Sequence, residues 1–148
     1  KYDRALELDK KNLDTMNNLA VVCASAGRFK RAEKLLQRVI ELQNDNAIRK
    51  YDRALELDKK NLDTMNNLAV VCASAGRFKR AEKLLQRVIE LQNDNATAHR
   101  NLGILYDTHL ENPRRAITHY KRYLAIVPGA SDRNLVELWI SRVEGANK

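Results

Sequence analysis

Proline and glycine are scarce. Two prolines and five glycines in 148 residues are too few for an all-β fold, which spends such residues at its many turns. Cysteine occurs twice, at Cys23 and Cys72. These are the same position in two copies of one segment, so they form neither a disulfide framework nor a ligand cluster. A lone Cys at an apolar helical position reads as a small core residue. Aromatic residues make up 5% and are not interleaved with basic ones as base-stacking platforms would be. No apolar run approaches the ~18 residues of a membrane span. Signatures of catalysis are missing as well: there is no HExxH, GxSxG, glycine-rich phosphate loop or CxxC. His99, His109 and His119 lie on different turns and lack a Cys partner. The chain therefore does not read as an enzyme, and neither a cofactor nor a metal is expected.

The formal charge is +8, spread thinly: residues 1–47 carry nine basic and seven acidic groups, residues 50–96 repeat that count, and residues 97–148 carry eight against five. A nucleic-acid domain more often concentrates its charge on one face. The recurring cluster Arg28, Lys30, Arg31, Lys34 and its copy Arg77, Lys79, Arg80, Lys83 read as charges that keep a convex helix face hydrated. A nucleic-acid partner is disfavoured.

What is abundant is helix-forming. Ala, Leu, Glu, Lys, Arg and Asn dominate, and most of these are good helix formers. Residues 1–47 recur without one change at residues 50–96, with Ile48 and Arg49 between the copies. Surface positions drift quickly in natural duplicates, since most surface substitutions cost little, so this identity implies a very recent duplication or a chain assembled by design. Within each copy Met16, Leu19, Ala20 and Cys23 fall at i, i+3, i+4, i+7, one face of a helix. Gly27 follows as a stop signal, and Ala32, Leu35, Leu36, Val39 and Ile40 make a second stripe.

Residues 16–44 resemble the tetratricopeptide repeat (TPR), a ~34-residue helix–turn–helix unit. The motif roles fall to Met16, Leu19, Ala20, Cys23, Ala32, Leu36 and Val39, and in the second copy to Met65, Leu68, Ala69, Cys72, Ala81, Leu85 and Val88. Asn44 and Asn93 replace the closing proline. A divergent third unit uses His99, Leu102, Gly103, Tyr106, Ala116, Tyr120 and Tyr123, closing at Pro128. Asn112–Pro113 supplies a cap followed by a first-turn proline. A last stripe, Leu135, Leu138, Trp139 and Val143, reads as a helix capping the open end of the array.

The resemblance implies an all-α, right-handed α-solenoid: a single array with TPR units at 13–46, 62–95 and 96–129 and a capping helix at 131–145. The duplicated unit is second helix, first helix, second helix, which leaves an orphan second helix at 47–61 and a truncated one at 1–12. The stripe Val39, Ile40, Ala47, Tyr51, Ala54, Leu55 continues across the join without Pro or Gly. It predicts one fused helix over about 29–57, roughly 40–45 Å long at ~1.5 Å per residue. A turn at 44–46 is the alternative. Such a rod cannot fold its halves onto one local core, which suggests helices swapped into a homo-oligomer.

In such arrays the first helices line a concave groove. The resemblance places there Asp14, Asn17, Asn18, Val21, Ala24 and Ser25, then Asp63, Asn66, Asn67, Val70, Ala73 and Ser74, and in the third unit Thr97, Arg100, Asn101, Ile104, Asp107 and Thr108. Asn18, Asn67 and Asn101 precede a motif Leu in each unit, similar to the asparagine ladder of superhelical arrays. An amide offers donor and acceptor together and can grip the backbone of an extended peptide. The peptide-binding candidates are thus Asn18, Asn66, Asn67, Val70, Arg100, Asn101, Ile104 and Asp107. Chaperone-binding relatives clamp a peptide carboxylate with Asn where Val21, Val70 and Ile104 stand here, so that specialisation is not expected. The implied function is a non-catalytic scaffold for a peptide or partner protein. The alternatives are a self-assembly module and an accessory region of a larger multidomain protein.

Overall fold

The computed structural model describes residues 2–146; Lys1 and the last two residues, expected at the ends of the array, lie outside the described residues. Seven helices and no strand occur among the described residues: α1 (Tyr2–Ser25), α2 (Phe29–Leu57), α3 (Leu62–Ser74), α4 (Phe78–Leu91), α5 (Ala96–Thr108), α6 (Pro113–Ile126) and α7 (Arg133–Ala146). The protein is an all-α helical repeat, divided into two compact units at residues 1–50 and 51–148.

Unit 2 is a short solenoid. Met65, Leu68, Ala69 and Cys72 of α3 and Ala98, Leu102, Leu105 and Tyr106 of α5 are buried, the one-face spacing of an amphipathic helix. Ala81, Leu85 and Val88 of α4 and Ala116, Tyr120 and Leu124 of α6 meet them. Each large side chain so enclosed contributes about 1.5–3 kcal/mol. Burial raises the Cys72 thiol pKa, against the pull of Arg80 and Arg77. α3, α5 and α6 each start on a side-chain cap: Asn61 Oδ1 accepts from Thr64 N (2.9 Å), Asn95 Oδ1 from Ala98 N (2.9 Å) and Asn112 Oδ1 from Arg115 N (3.2 Å). Gly76 ends the α3 turn at φ 77, a conformation that costs glycine least.

Unit 1 is a helical hairpin. Gly27, at φ 75, reverses the chain after α1, and Arg28 N donates to Cys23 O at 2.8 Å. Arg49 of α2 reaches Asp9 of α1 at 3.8 Å, so the two helices run antiparallel. Ala20, Cys23, Ala32 and Val39 are buried.

The fused helix over 29–57 is observed as α2. The separate orphan helix at 1–12 is not: α1 runs unbroken through residues 9–12, whereas the identical residues 58–61 form the turn between α2 and α3. Asp-Lys-Lys-Asn is compatible with either state. The break in unit 2 is held by the Asn61 cap and by Lys60 N donating to Asp58 Oδ1 at 3.3 Å. The stripe expected on the last helix is also misphased. Val136, Ile140 and Val143 face inward, while Leu135 and Leu138 are exposed. Trp139 sets the rotation, with its ring 5.5 Å from that of Tyr120 and under the Arg100 guanidinium.

Candidate functional site

The α3–α5 neighbourhood of unit 2 opens into a cleft of about 420 Å³ lined by Val70, Ala73 and Ser74 of α3 and Arg100, Asn101 and Ile104 of α5, with Ala81, Leu85 and Leu105 at its base. Both contributing helices are first helices of a repeat, so successive turns offer positions 70, 73 and 74 and positions 100, 101 and 104 to one side. The lining is apolar except for Ser74, Asn101, Arg100 and His109. At one end His109 stacks on Phe78, centroids 4.1 Å apart.

The eight candidate residues separate into groups. Val70 and Asn67 are exposed, and Asn101 and Ile104 are half-buried; Val70, Asn101 and Ile104 line the cleft together with Arg100. Asn18 is exposed on α1, in unit 1. Asn66 does not face solvent: it is 4% exposed, its Nδ2 donates to Asn95 Oδ1 at 3.2 Å, and its own Oδ1 is enclosed without a hydrogen-bond partner. Asn66 therefore ties the start of α5 to α3 and leaves the set of groove contacts. The Asn66–Asn67 pair straddles the helix boundary between buried and open faces, one residue being 100° of rotation.

Arg100 and Asp107 are occupied by the capping helix and its lead-in. Arg100 Nε donates to Asp132 Oδ2 at 2.7 Å, and Tyr123 OH donates to Asp132 Oδ1 at 2.6 Å. These two donors hold the Asp132 carboxyl below the usual carboxylate range, with the Tyr123 hydroxyl the larger cause. Asp107 accepts from Tyr120 OH at 3.1 Å and pairs with Arg142 of α7. Desolvation first, then Asp107, pushes the Tyr120 phenol well above its ordinary value. Both residues fix the wall of the cleft in place.

In the sequence the three histidines stand on different turns. The fold brings two together: His99 Nδ1 and His119 Nδ1 are 3.0 Å apart, and His99 Nε2 lies 2.7 Å from Asn93 O. A carbonyl only accepts, so His99 Nε2 carries the proton and donates; His99 Nδ1 then accepts from His119 Nδ1–H. Burial, then His99 and Arg115, push His119 down to about 4. Both residues carry helix-packing roles here, and no group of three or more His, Cys, Asp or Glu placed to hold a metal occurs among the described residues. The only sequence signal was that α5 and α6 run antiparallel. No helix among the described residues is long and apolar enough to cross a membrane.

Two family models described as tetratricopeptide repeat match the sequence, over residues 62–128 and residues 1–47. No curated protein matches the chain in sequence. Solved structures share the fold. The first TPR of Spaghetti (RPAP3) bound to an HSP90 peptide aligns with a TM-score of 0.60 at 15% identity, covering 92% of this chain and 93% of that one. The second TPR domain of human RPAP3 in complex with an HSP70 peptide gives 0.55 at 18%, covering 92% and 98%. YrrB, described as a TPR protein with an unusual peptide-binding site, gives 0.58 at 22%, covering 95% and 80%.

Proposed function

Because this chain belongs to the tetratricopeptide repeat family, we propose that it is a non-catalytic scaffold that holds an extended peptide or a segment of a partner protein in the α3–α5 cleft. The observation that supports this most is the composition of that cleft: an open apolar trough with amides beside it. Val70, Ala73 and Ile104 suit alternate apolar side chains of an extended chain. The carboxamides of Asn67 and Asn101 are the groups able to pair with its backbone, since each offers a donor and an acceptor. Preorganisation favours the reading too, because Arg100 and Asp107 are already committed to α7 and its lead-in and order nothing further on binding. Related folds bind peptides, as the RPAP3 complexes do. A carboxylate clamp is not part of the proposal, because Val70 and Ile104 give no donor.

The test is capture from a random peptide library by the intact chain and by the Asn67→Ala/Asn101→Ala and Ile104→Asp variants. Loss of capture in both is expected. Unchanged capture by the double Asn variant removes the amide ladder, and unchanged capture by Ile104→Asp removes the cleft. The swapped homo-oligomer and the accessory region of a larger protein remain readings of the sequence that this cleft does not favour.

A further inference from the structure

The two identical copies provide an internal control on burial. In unit 2 the downstream face of the α3–α4 hairpin is covered by the next repeat. Leu68 is 0% exposed and Leu85 2%. Leu85 lines one cleft with Leu105 and Ile104 of α5, Ile89 lines another with Leu102 and Tyr106, and Phe78 stacks on His109. The same positions of the same sequence in unit 1 are bare: Leu19 is 39% exposed and Leu36 47%, and Val22, Phe29 and Ile40 are exposed as well. Residues that a repeat is built to cover stand open because residue 47 continues α2 instead of starting a new first helix.

We propose that this face of unit 1 associates with the same face of a second copy of the chain. Stoichiometry decides between swapping and pairing. Each chain carries two such sockets, on α1–α2 and α3–α4, but one covering segment, α5–α6. Exchanging that segment between chains moves the vacancy and never fills it. Pairing socket with socket removes both from water. The area is adequate: five half-open large side chains present on the order of 500 Å² of apolar surface, near the upper end of what a monomer leaves open. Two copies would bury about 1,000 Å², the lower bound for a specific interface, before any polar rim is counted. Charge is compatible with a twofold. In unit 2 the socket's Glu82 takes Lys79 at 3.5 Å from its own helix and Arg115 at 3.9 Å from the cover. Its counterpart Glu33 is flanked by Lys30 and Lys34, so the second copy brings cations in place of Arg115.

Sedimentation velocity of the intact chain across a wide concentration range tests this, together with Leu36→Glu/Ile40→Glu and, as a control of equal apolar loss, Leu135→Glu/Leu138→Glu on α7. The expected result is a concentration-dependent dimer for the wild type and for the α7 variant. The unit 1 variant should sediment at the mass of one chain with unchanged helical circular dichroism, since both its sites are exposed. A wild type that stays monomeric throughout overturns the proposal, as does a unit 1 variant that still dimerises. So does an α7 variant that is monomeric, which would put the contact elsewhere. Should the unit 1 variant lose helicity, Leu36→Lys alone repeats the arm, and retention of the dimer by that folded variant overturns the proposal.

Discussion

The Tyr120 ring packs closely against the backbone at Gly103: a methyl placed on Gly103 would stand 2.5 Å from ring carbon Cε1 and 3.1 Å from Cγ. Tyr120 is fully buried and its hydroxyl is held by Asp107, so the ring has no room to retreat. Here glycine is required by close approach of two helices, not by an unusual backbone angle. Gly103→Ala gains about 1 kcal/mol of helix propensity and loses more through overpacking, typically 1–3 kcal/mol and more where neighbours cannot shift. The expected outcome is a net loss of roughly 1–2 kcal/mol, read as a lower urea midpoint with an unchanged slope. A midpoint that rises would show that α5 and α6 separate freely.

Stability should also depend on pH through His119. Its folded pKa is pushed down to about 4 by burial, His99 and Arg115, below the ~6.5 of the unfolded chain. Above about 6.5 both states are neutral there and nothing changes. Between about 6.5 and 4 the unfolded chain binds the proton and the folded chain does not, so stability falls as pH falls. The ring is partly open to solvent, which limits the effect to on the order of 1–2 kcal/mol. Chemical denaturation at pH 7.5 and near pH 4.5 should show this loss, and His119→Gln should shrink it. An equal loss in His119→Gln assigns the pH dependence to the carboxylates.

The array itself was legible in the sequence because its packing is local. Leu68, Ala69 and Cys72 bury one face of one helix, Gly76 stops it, and neighbouring helices supply the rest, so a 3.6-residue period suffices. The fused α2 was legible for the same reason: its stripe crosses the join without a break. The phase of α7 was not, because Leu135 and Leu138 carry more apolar surface than Val136 and Val143, and only the Tyr120–Trp139 and Arg100–Asp132 contacts turn the helix away from them. Among the groove residues, Asn66 and Asn67 are chemically identical neighbours, and only the position of Asn95 decides which is enclosed. The His99–His119 contact depends on the pairing of two helices, which no single-helix periodicity reports. The difference between residues 9–12 and 58–61 lay beyond any reading of local sequence, since the two stretches are the same.

That last difference yields a test with opposite signs at identical sequence positions. Asn61 caps α3: its Oδ1 accepts from Thr64 N at 2.9 Å, satisfying a donor that the first helical turn cannot. Asn61→Ala removes the cap and should cost about 1 kcal/mol. Asn12 has the same neighbours on both sides, but it sits exposed inside the unbroken α1, where its backbone N–H is already within the helical ladder and a cap has nothing to serve. There Ala is the better helix former, by roughly 0.5 kcal/mol, because Asn competes for the backbone with local hydrogen bonds. Asn12→Ala should therefore leave stability unchanged or raise it slightly. Thermal or urea unfolding of the two single variants beside the parent checks both signs. A comparable loss in each would mean that residues 9–12 break the helix as residues 58–61 do, and that unit 1 holds a capped repeat in place of the long α1.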